Sequence, residues 1–350
     1  MKRLIKCFLV LSLICCLLVV NILSVSASYN EALKANGIEI IKTKYVTTIK
    51  QDHVIQRTMS ESALKSLKNN LNKQGLTEHE KNVEILRSLG HKEETIAGMC
   101  VEDIDYMIAD AASFQTQVVY MKVNADGSTT VISEEECLAA VELHNIAAGV
   151  AESPNDGWGN WTSSDGYMRM TISCVYADPS SMNGEIGWYN FHAWYEWLIM
   201  PNYRQTDAMS IAVPTCSWDT LNAPNAYSAT MYYRTINGNG DTGTYNRTTP
   251  KSMVVAINGV YCTWDLPKDM GLETTLYMQY YMRARARITQ FTIPTSVTAY
   301  LRYSHTYTEF SVEPSFGWDI SSGKVGVSLV PKLGIKANDF YYNVNYTYTP

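Results

Sequence analysis

The clearest pattern in the chain is an alternation of apolar and polar side chains over residues 276–291, "LYMQYYMRARARITQF". One set of alternate positions is apolar, whereas the other set carries Arg283, Arg285 and Arg287. Successive side chains of a β-strand point to opposite faces of the sheet. The pattern therefore predicts a strand whose apolar side packs into a core and whose arginine side faces outward.

A second alternating segment, residues 187–201 ("GWYNFHAWYEWLIMP"), is the most aromatic stretch of the chain. A helix here would have no polar side, so a strand is favoured. One side of that strand is wholly apolar, and the other carries Trp188, His192, Trp194 and Glu196.

More strands are predicted on both sides of these two. The segment "SMVVAINGVYCTWDL" is typical of a hairpin, because Asn258-Gly259 suits a type I′ turn between β-branched and aromatic flanks. All eight Trp and 20 of the 24 Tyr follow residue 150. Residues 151–350 therefore predict a Tyr/Trp-rich antiparallel β-sandwich.

Before residue 150 the spacing is helical. Leu64, Leu67 and Leu71 recur at the period of a helix, and Thr77-x-x-Glu80 is a capping box for the next one. Further helices are predicted from about residues 93 and 101.

One hairpin interrupts these helices. The segment "YMKVNADGSTTVI" predicts it, with its turn at Asp126-Gly127. Ser133-x-x-Glu136 then caps a last helix, which we expect to bury Leu138 and Val141, with His144 as a further candidate.

These patterns give an α+β fold class: a small helical N-terminal domain followed by the β-sandwich. The turn-rich stretch "AESPNDGWGN" marks the boundary. We therefore divide the chain into residues 1–27, a mainly helical domain with one hairpin at 28–150, and an all-β domain at 151–350.

Residues 1–27 have the three parts of a secretory signal peptide: a basic start, an apolar run over residues 8–20, and small residues at Val25-Ser26-Ala27. An uncleaved N-terminal anchor is the alternative. No further transmembrane segment is predicted after the signal. We therefore expect a secreted, extracellular protein.

The net charge of −6 and the lack of a strongly basic region speak against a nucleic-acid partner. Five cysteines follow the signal, with no Cys-x-x-Cys spacing, so no zinc site is expected. An odd number leaves at least one thiol unpaired in a monomer. Two interpretations of the cysteines remain open: small buried thiols, or one or two disulfides. The five cysteines are Cys100, Cys137, Cys174, Cys216 and Cys262.

The two alternating segments supply the candidate ligand-binding residues. Arginines about 6.6–6.8 Å apart along a strand could bind a repeating anion through paired hydrogen bonds. Aromatic side chains beside hydrogen-bonding groups suit a sugar or a peptide. The alternatives are that acidic residues neutralise the arginines and that the aromatic residues are core. The candidates are Arg283, Arg285, Arg287, Trp188, His192 and Trp194.

No catalytic motif of a zinc protease, a serine hydrolase or a phosphate-binding loop occurs, and no cofactor is expected. A cysteine nucleophile with His192 or His305 is an alternative that the sequence leaves open. Residues 237–243, "NGNGDTG", match a calcium loop only in part, so no metal site is predicted.

The stretch "ILRSLGHKEETIAGMCVEDIDYMIAD" resembles a helical repeat-like segment of secreted proteins from Gram-positive bacteria, and "YLRYSHTYTEF…GWDISSGKVGVSLVP" is similar to the ends of such proteins. The resemblance covers about a fifth of the chain. It implies export and a Gram-positive origin, and it brings no catalytic residues.

The leading hypothesis is an exported protein of unknown specific activity whose β-sandwich binds a ligand or partner at a cell surface or in the medium. The partner could be an anionic polymer, a glycan or a protein. The alternatives are a secreted hydrolase of cell-wall or host polymers and a membrane-active β protein.

Overall fold

The computed structural model describes thirteen segments of the chain, which are residues 37–124, 128–151, 166–199, 206–213, 217–218, 227–236, 246–256, 259–266, 274–288, 295–308, 316–319, 326–329 and 335–348. Most of these residues lie in antiparallel β-sheets, and a few helices accompany them. The predicted signal peptide and the turn-rich stretch after Ala151 lie outside the described residues.

The described strands number eighteen. In chain order they are β1 (Glu39–Lys42), β2 (Thr47–Gln51), β3 (Val54–Met59), β4 (Ala111–Val123), β5 (Thr129–Ile132), β6 (Tyr167–Ala177), β7 (Trp188–Ile199), β8 (Thr206–Ala212), β9 (Ser217–Trp218), β10 (Tyr227–Ile236), β11 (Asn246–Thr248), β12 (Ser252–Ala256), β13 (Gly259–Asp265), β14 (Thr274–Arg287), β15 (Thr295–Thr308), β16 (Phe316–Asp319), β17 (Gly326–Leu329) and β18 (Ile335–Tyr348).

These strands form one large sheet and two smaller ones. The large sheet has eleven strands with the central order β1-β2-β3-β4-β6-β7-β14-β10-β11, and β5 and β9 pair with β4 and β14. The second sheet has the order β12-β13-β8-β15-β18, and β16 pairs with β17. Strand β14 thus lies between β7 and β10, although it follows both of them in the chain.

Five helices accompany the sheets in the described part of the chain. They are α1 (Glu61–Leu71), α2 (Glu78–Ser88), α3 (Glu93–Ala97), α4 (Val101–Ala109) and α5 (Glu134–Ala151). The predicted starts are confirmed for α2 and α5. Thr77 and Glu80 form the complete capping box of α2, and the Glu136 amide donates to Ser133 Oγ at 3.0 Å.

The two larger sheets share one hydrophobic core. From the large sheet, β4, β6, β7 and β14 contribute side chains such as Phe191 and Met282, and the second sheet contributes others such as Trp264 and Tyr303. The Tyr195 hydroxyl crosses between the sheets and donates to the Ser210 carbonyl at 2.6 Å. We call this side of the large sheet the core face.

The helices cover the opposite side of the large sheet. Helices α1 to α4 pack on Phe114, Val175, Trp194 and Tyr281, and the three leucines of α1 are buried as predicted. Helix α5 lies further along the same side through Cys137. The prediction that α5 buries Leu138 is wrong, because this side chain is 45 % exposed. No described helix is both long enough and apolar enough to cross a membrane.

The coarse prediction of an antiparallel β-protein with a few helices is confirmed. A separate helical domain is not evident, because the region before residue 151 also contributes β1 to β5. Strand β4 pairs with β6 from Ala111↔Ala177 to Lys122↔Tyr167, so one sheet continues across the predicted boundary. The sequence analysis missed β1 to β3, although their Ile, Val and Thr residues are typical of strands.

The predicted hairpins are present in the described strands. Strand β4 pairs with β5, and β12 pairs with β13. In the second hairpin Gly259 pairs with Ala256, so Gly259 lies in the strand rather than in the predicted turn.

Candidate functional site

The large sheet brings all six predicted ligand-binding residues onto one face. Strand β14 pairs with β7, and the register places Arg283 opposite His192, Arg287 opposite Trp188, and Tyr281 opposite Trp194. This face lies beneath the helices, and we call it the polar face. Its members are Trp188, Asn190, His192, Trp194 and Glu196 on β7 and Gln279, Tyr281, Arg283, Arg285 and Arg287 on β14.

At its inner end the polar face holds a buried ion pair between neighbouring strands. Arg169 of β6 donates to both oxygens of Glu196, at 2.6 and 2.7 Å. Tyr277 and Thr95 also donate hydroxyl hydrogen bonds to this carboxylate, at 2.6 and 2.8 Å. Burial raises the pKa of Glu196, but the charge and hydrogen bonds of Arg169 outweigh burial and lower that pKa below its usual value. The carboxylate is therefore held ionised inside the protein.

The three arginines Arg283, Arg285 and Arg287 form a row along β14, and Arg283, at its inner end, is covered by α4. Its Nε donates to Asp103 at 2.9 Å, and its guanidinium lies 3.7 Å from the centre of the Tyr106 ring. The prediction that this arginine faces outward is wrong, because only 8 % of the residue is exposed. A helix from the first third of the chain supplies the carboxylate that neutralises it.

His192 and Trp194 are also buried under the helices. His192 Nδ1 hydrogen-bonds to the Tyr281 hydroxyl at 2.7 Å, while its Nε2 has no hydrogen-bond partner. Burial lowers the pKa of His192 well below its usual value, and the nearby charge of Arg283 adds to this effect. The Trp194 ring lies 4.7 Å from that of His91. Neither His192 nor Trp194 reaches the surface.

Towards its outer end the polar face opens to solvent. Arg285 donates from Nε to Asn190 at 3.0 Å, and its Nη2 lies 3.5 Å from Asp110. Arg287 forms an ion pair of 3.1 Å with Glu185 and lies over the partly exposed Trp188 ring at 5.5 Å.

The Trp188 indole N–H donates to Glu185 at 2.9 Å. The side chains of Glu185, Trp188 and Arg287 thus hold one another, with Ile186 exposed beside them. We call these four residues the Trp188 surface. It is the part of the predicted site that a ligand can reach.

Sequence reasoning missed a second buried polar group between the sheets. Asp207 of β8 and His305 of β15 lie opposite each other, with His305 Nδ1 3.0 Å from both carboxylate oxygens. Tyr303 donates to the same carboxylate, and Trp197 of β7 donates to the Tyr303 hydroxyl at 2.9 Å. The signal in the sequence was Asp207, a charged residue within the otherwise uncharged strand β8. The group ties the second sheet to the large one, and His305 is 3 % exposed.

Cys100, Cys137 and Cys262 are free thiols, and Cys216 lies outside the described residues. Burial raises the pKa of Cys100 and Cys137 to about 12, and it raises that of Cys262 well above its usual value. Such thiols stay protonated, which makes them poor nucleophiles.

Among the residues that the structure describes, no group of three His, Cys, Asp or Glu side chains could hold a metal ion. Residues 237–243, the partial match to a calcium loop, lie outside that part of the chain. No protein-family model matches the chain, and no curated protein is similar enough to it to count as a relative.

Proposed function

We propose that this protein is an exported binding protein and that the Trp188 surface contacts its ligand, a glycan. The observation that carries the proposal is the partly exposed Trp188 ring, fixed in position by Glu185 and Arg287. Sugar rings stack on aromatic side chains, and their hydroxyls hydrogen-bond to charged planar groups beside the ring. Because these three side chains already hold one another, little side-chain freedom is lost on binding.

The charge balance favours a neutral glycan over an anionic polymer. Arg287 is paired with Glu185, Arg285 lies beside Asp110, and Arg283 is buried against Asp103. An anion that binds the three arginines would have to displace these carboxylates. A neutral ligand can use both the guanidinium donors and the carboxylate acceptors as they stand.

Export is the second part of the proposal, and it rests on the signal-like residues 1–27 and on the resemblance to secreted Gram-positive proteins. A Gram-positive cell wall would offer glycans directly to a protein released from that cell. The N-terminus of protein recovered from culture medium tests this part. A mature chain that begins near Ser28 supports export, whereas an intact Met1 retained in the membrane contradicts it.

Binding of the purified protein to cell-wall polysaccharide and to a panel of soluble glycans tests the first part. We expect Trp188→Ala to weaken binding by about thirtyfold, because a central tryptophan contributes about 2 kcal/mol or more to an interface. Leu143→Ala is the matched control, since Leu143 is 68 % exposed on α5, away from this surface. It should bind as the wild type does.

The salt dependence separates the two ligand classes. Binding of a neutral glycan should change little between low and high ionic strength, whereas attraction to an anionic polymer weakens as salt rises. A wild-type protein that binds no glycan would refute the proposal, and so would a Trp188→Ala variant with unchanged affinity.

A further inference from the structure

A small cavity of about 10 Å³ lies beneath the turn between α2 and α3, apart from the Trp188 surface. It is formed between this turn and strands β3, β4 and β6 of the large sheet. A cavity of this size has room for about one water-sized sphere. Its lining is rich in hydrogen-bond donors, namely Arg57, His91, Lys92, Thr116, Arg169 and Thr171.

Gly90 holds the roof of this cavity close to the Arg57 side chain. The residue ends α2 with a φ of +80°, a conformation that favours glycine. A Cβ at this position would lie 2.6 Å from Arg57 Nε and 2.7 Å from Arg57 Cζ. The absence of a side chain therefore lets the backbone rest against the guanidinium and confine it.

The positive charges around the cavity are not fully balanced. Arg169 is neutralised by Glu196, and Lys92 lies 3.7 Å from Glu134. No hydrogen bond or ion pair joins the Arg57 side chain to another described residue, although the charge of Glu134 acts on it from a distance. Burial lowers the pKa of Arg57, and Glu134 offsets this only in part. The Arg57 guanidinium thus lines the cavity without a carboxylate in direct contact.

His91 adds an unsatisfied polar atom to the same cavity. The residue is only 8 % exposed, and its Nε2 has no hydrogen-bond partner. Burial lowers the pKa of His91 to about 3, and the charges of Arg57 and Arg169 act in the same direction against the partial opposition of Glu196. The imidazole is therefore neutral and can present an N–H donor. A buried group without a partner is costly, which suggests that something polar completes it.

We propose that the Arg57 cavity is a binding site for one small anion, either chloride or a single oxygen of a carboxylate or phosphate group. The Arg57 guanidinium would supply the charge and the fork of donors, and His91 Nε2–H would supply a further donor. The cavity has room for about one atom, so a larger group would enter it with a single atom only. A cation is disfavoured there by the surrounding guanidinium groups.

Crystals of the wild-type protein grown in sodium bromide give the direct test, because bromide replaces chloride and scatters anomalously. We expect an anomalous peak within hydrogen-bonding distance of Arg57 and His91 Nε2. Soaks in acetate and in inorganic phosphate distinguish a halide site from an oxyanion site. A cavity that holds only water, or nothing, in all three crystals overturns the proposal.

Thermal unfolding gives the second test. Chloride is added in place of a bulky sulfonate at constant ionic strength, and a ligand that binds only the folded state raises Tm. We expect Arg57→Gln to weaken the apparent anion affinity about tenfold or more. The control Arg87→Gln removes a charge from an exposed ion pair on α2 and should respond as the wild type does.

An Arg57→Gln protein with the wild-type anion response would refute the role of Arg57. If Arg57→Gln does not fold, His91→Phe removes the second donor instead, and the bromide peak in the wild type decides without any variant.

Discussion

The two faces of β7 and β14 are both buried over most of their length and are stabilised by different chemistry. On the core face, Phe191, Tyr195 and Met282 pack among apolar side chains of the second sheet. On the polar face, Glu196 and Arg283 are matched to Arg169 and Asp103.

A two-residue alternation therefore separates two environments without indicating which of them is solvent. An apolar side chain tolerates any close-packed neighbour, whereas a buried charge needs one specific partner in one place. The polar face therefore depends on the helices far more specifically than the core face depends on the second sheet.

Removing the helices should have the largest effect, because Arg283 of the polar face then loses its carboxylate partner Asp103. A protein that begins at Ala151 lacks β4, so the whole β6 edge loses its ladder and the polar face is uncovered. We expect it to be insoluble or unfolded, as measured by circular dichroism and solubility beside the full-length protein. A soluble all-β protein with a cooperative transition would instead support the domain boundary predicted at residue 150.

Neighbouring residues test the two faces individually. Glu196 and Trp197 are adjacent in β7, point to opposite faces and are both fully buried. We expect Trp197→Ala to cost about 3–5 kcal/mol through loss of packing. Glu196→Ala should cost about as much, roughly 3–5 kcal/mol, because Arg169 stays buried without a counter-charge. Chemical denaturation measures both.

A double variant shows whether the loss in Glu196→Ala comes from the unpaired charge of Arg169 or from lost packing. Replacing both partners, as Arg169→Met with Glu196→Leu, should recover most of the loss, because no buried charge remains unpaired. Glu93→Gln, in an exposed ion pair with Arg87, is the control and should cost about 1 kcal/mol or less. If the double variant is no more stable than Glu196→Ala, the ion pair is not the origin of the loss.

The arginine row should show a gradient of stability effects from its inner to its outer end. Arg283→Ala leaves Asp103 buried without a partner and should cost about 3–5 kcal/mol. Arg287→Ala breaks an ion pair whose partners are partly exposed, so its cost should be about 1 kcal/mol or less. Arg285→Ala should fall between them. Equal small losses at all three positions would mean that the helices do not cover the row in solution.

Acid should destabilise the polar face through His91. Burial lowers its pKa to about 3, whereas in the unfolded chain it titrates near 6.5. Between these values the unfolded state binds the additional proton, so His91 alone makes stability fall by about 1.4 kcal/mol for each pH unit of acidification.

His91→Gln should remove this contribution to the slope of stability against pH. His53→Asn, in an exposed turn, is the control and should leave the slope unchanged. Denaturation midpoints from pH 6.5 to pH 4 measure the slopes. A His91→Gln protein with the wild-type slope would show that His91 titrates normally in the folded state.

The alternation of residues 276–291 was sufficient to predict a strand and its buried apolar side, because that depends on neighbours two residues apart. Helix starts at Thr77 and Ser133 were predictable for the same local reason. The burial of Arg283 was not, because its partner Asp103 lies 180 residues earlier in the chain.

The sequence predicted which residues share the candidate face, but it did not predict which of them are accessible to solvent. All six residues do share one face, since the spacing within β7 and β14 fixes their sides. Whether helices cover that face depends on long-range packing that no local pattern contains. Trp188 and His192 both occupy alternate positions on the same side of β7, yet only Trp188 is partly exposed to solvent, whereas His192 is buried.

The separation of 180 residues between Asp103 and Arg283 also has a consequence in time. A ribosome completes α4 long before it reaches β14, and β14 must then enter between β7 and β10, two strands made earlier. Until that insertion, the carboxylate of Asp103 lacks its counter-charge and Tyr106 lacks the guanidinium that lies over its ring. The helical layer is therefore synthesised well before β14, and its contacts with β14 are among the last to be completed.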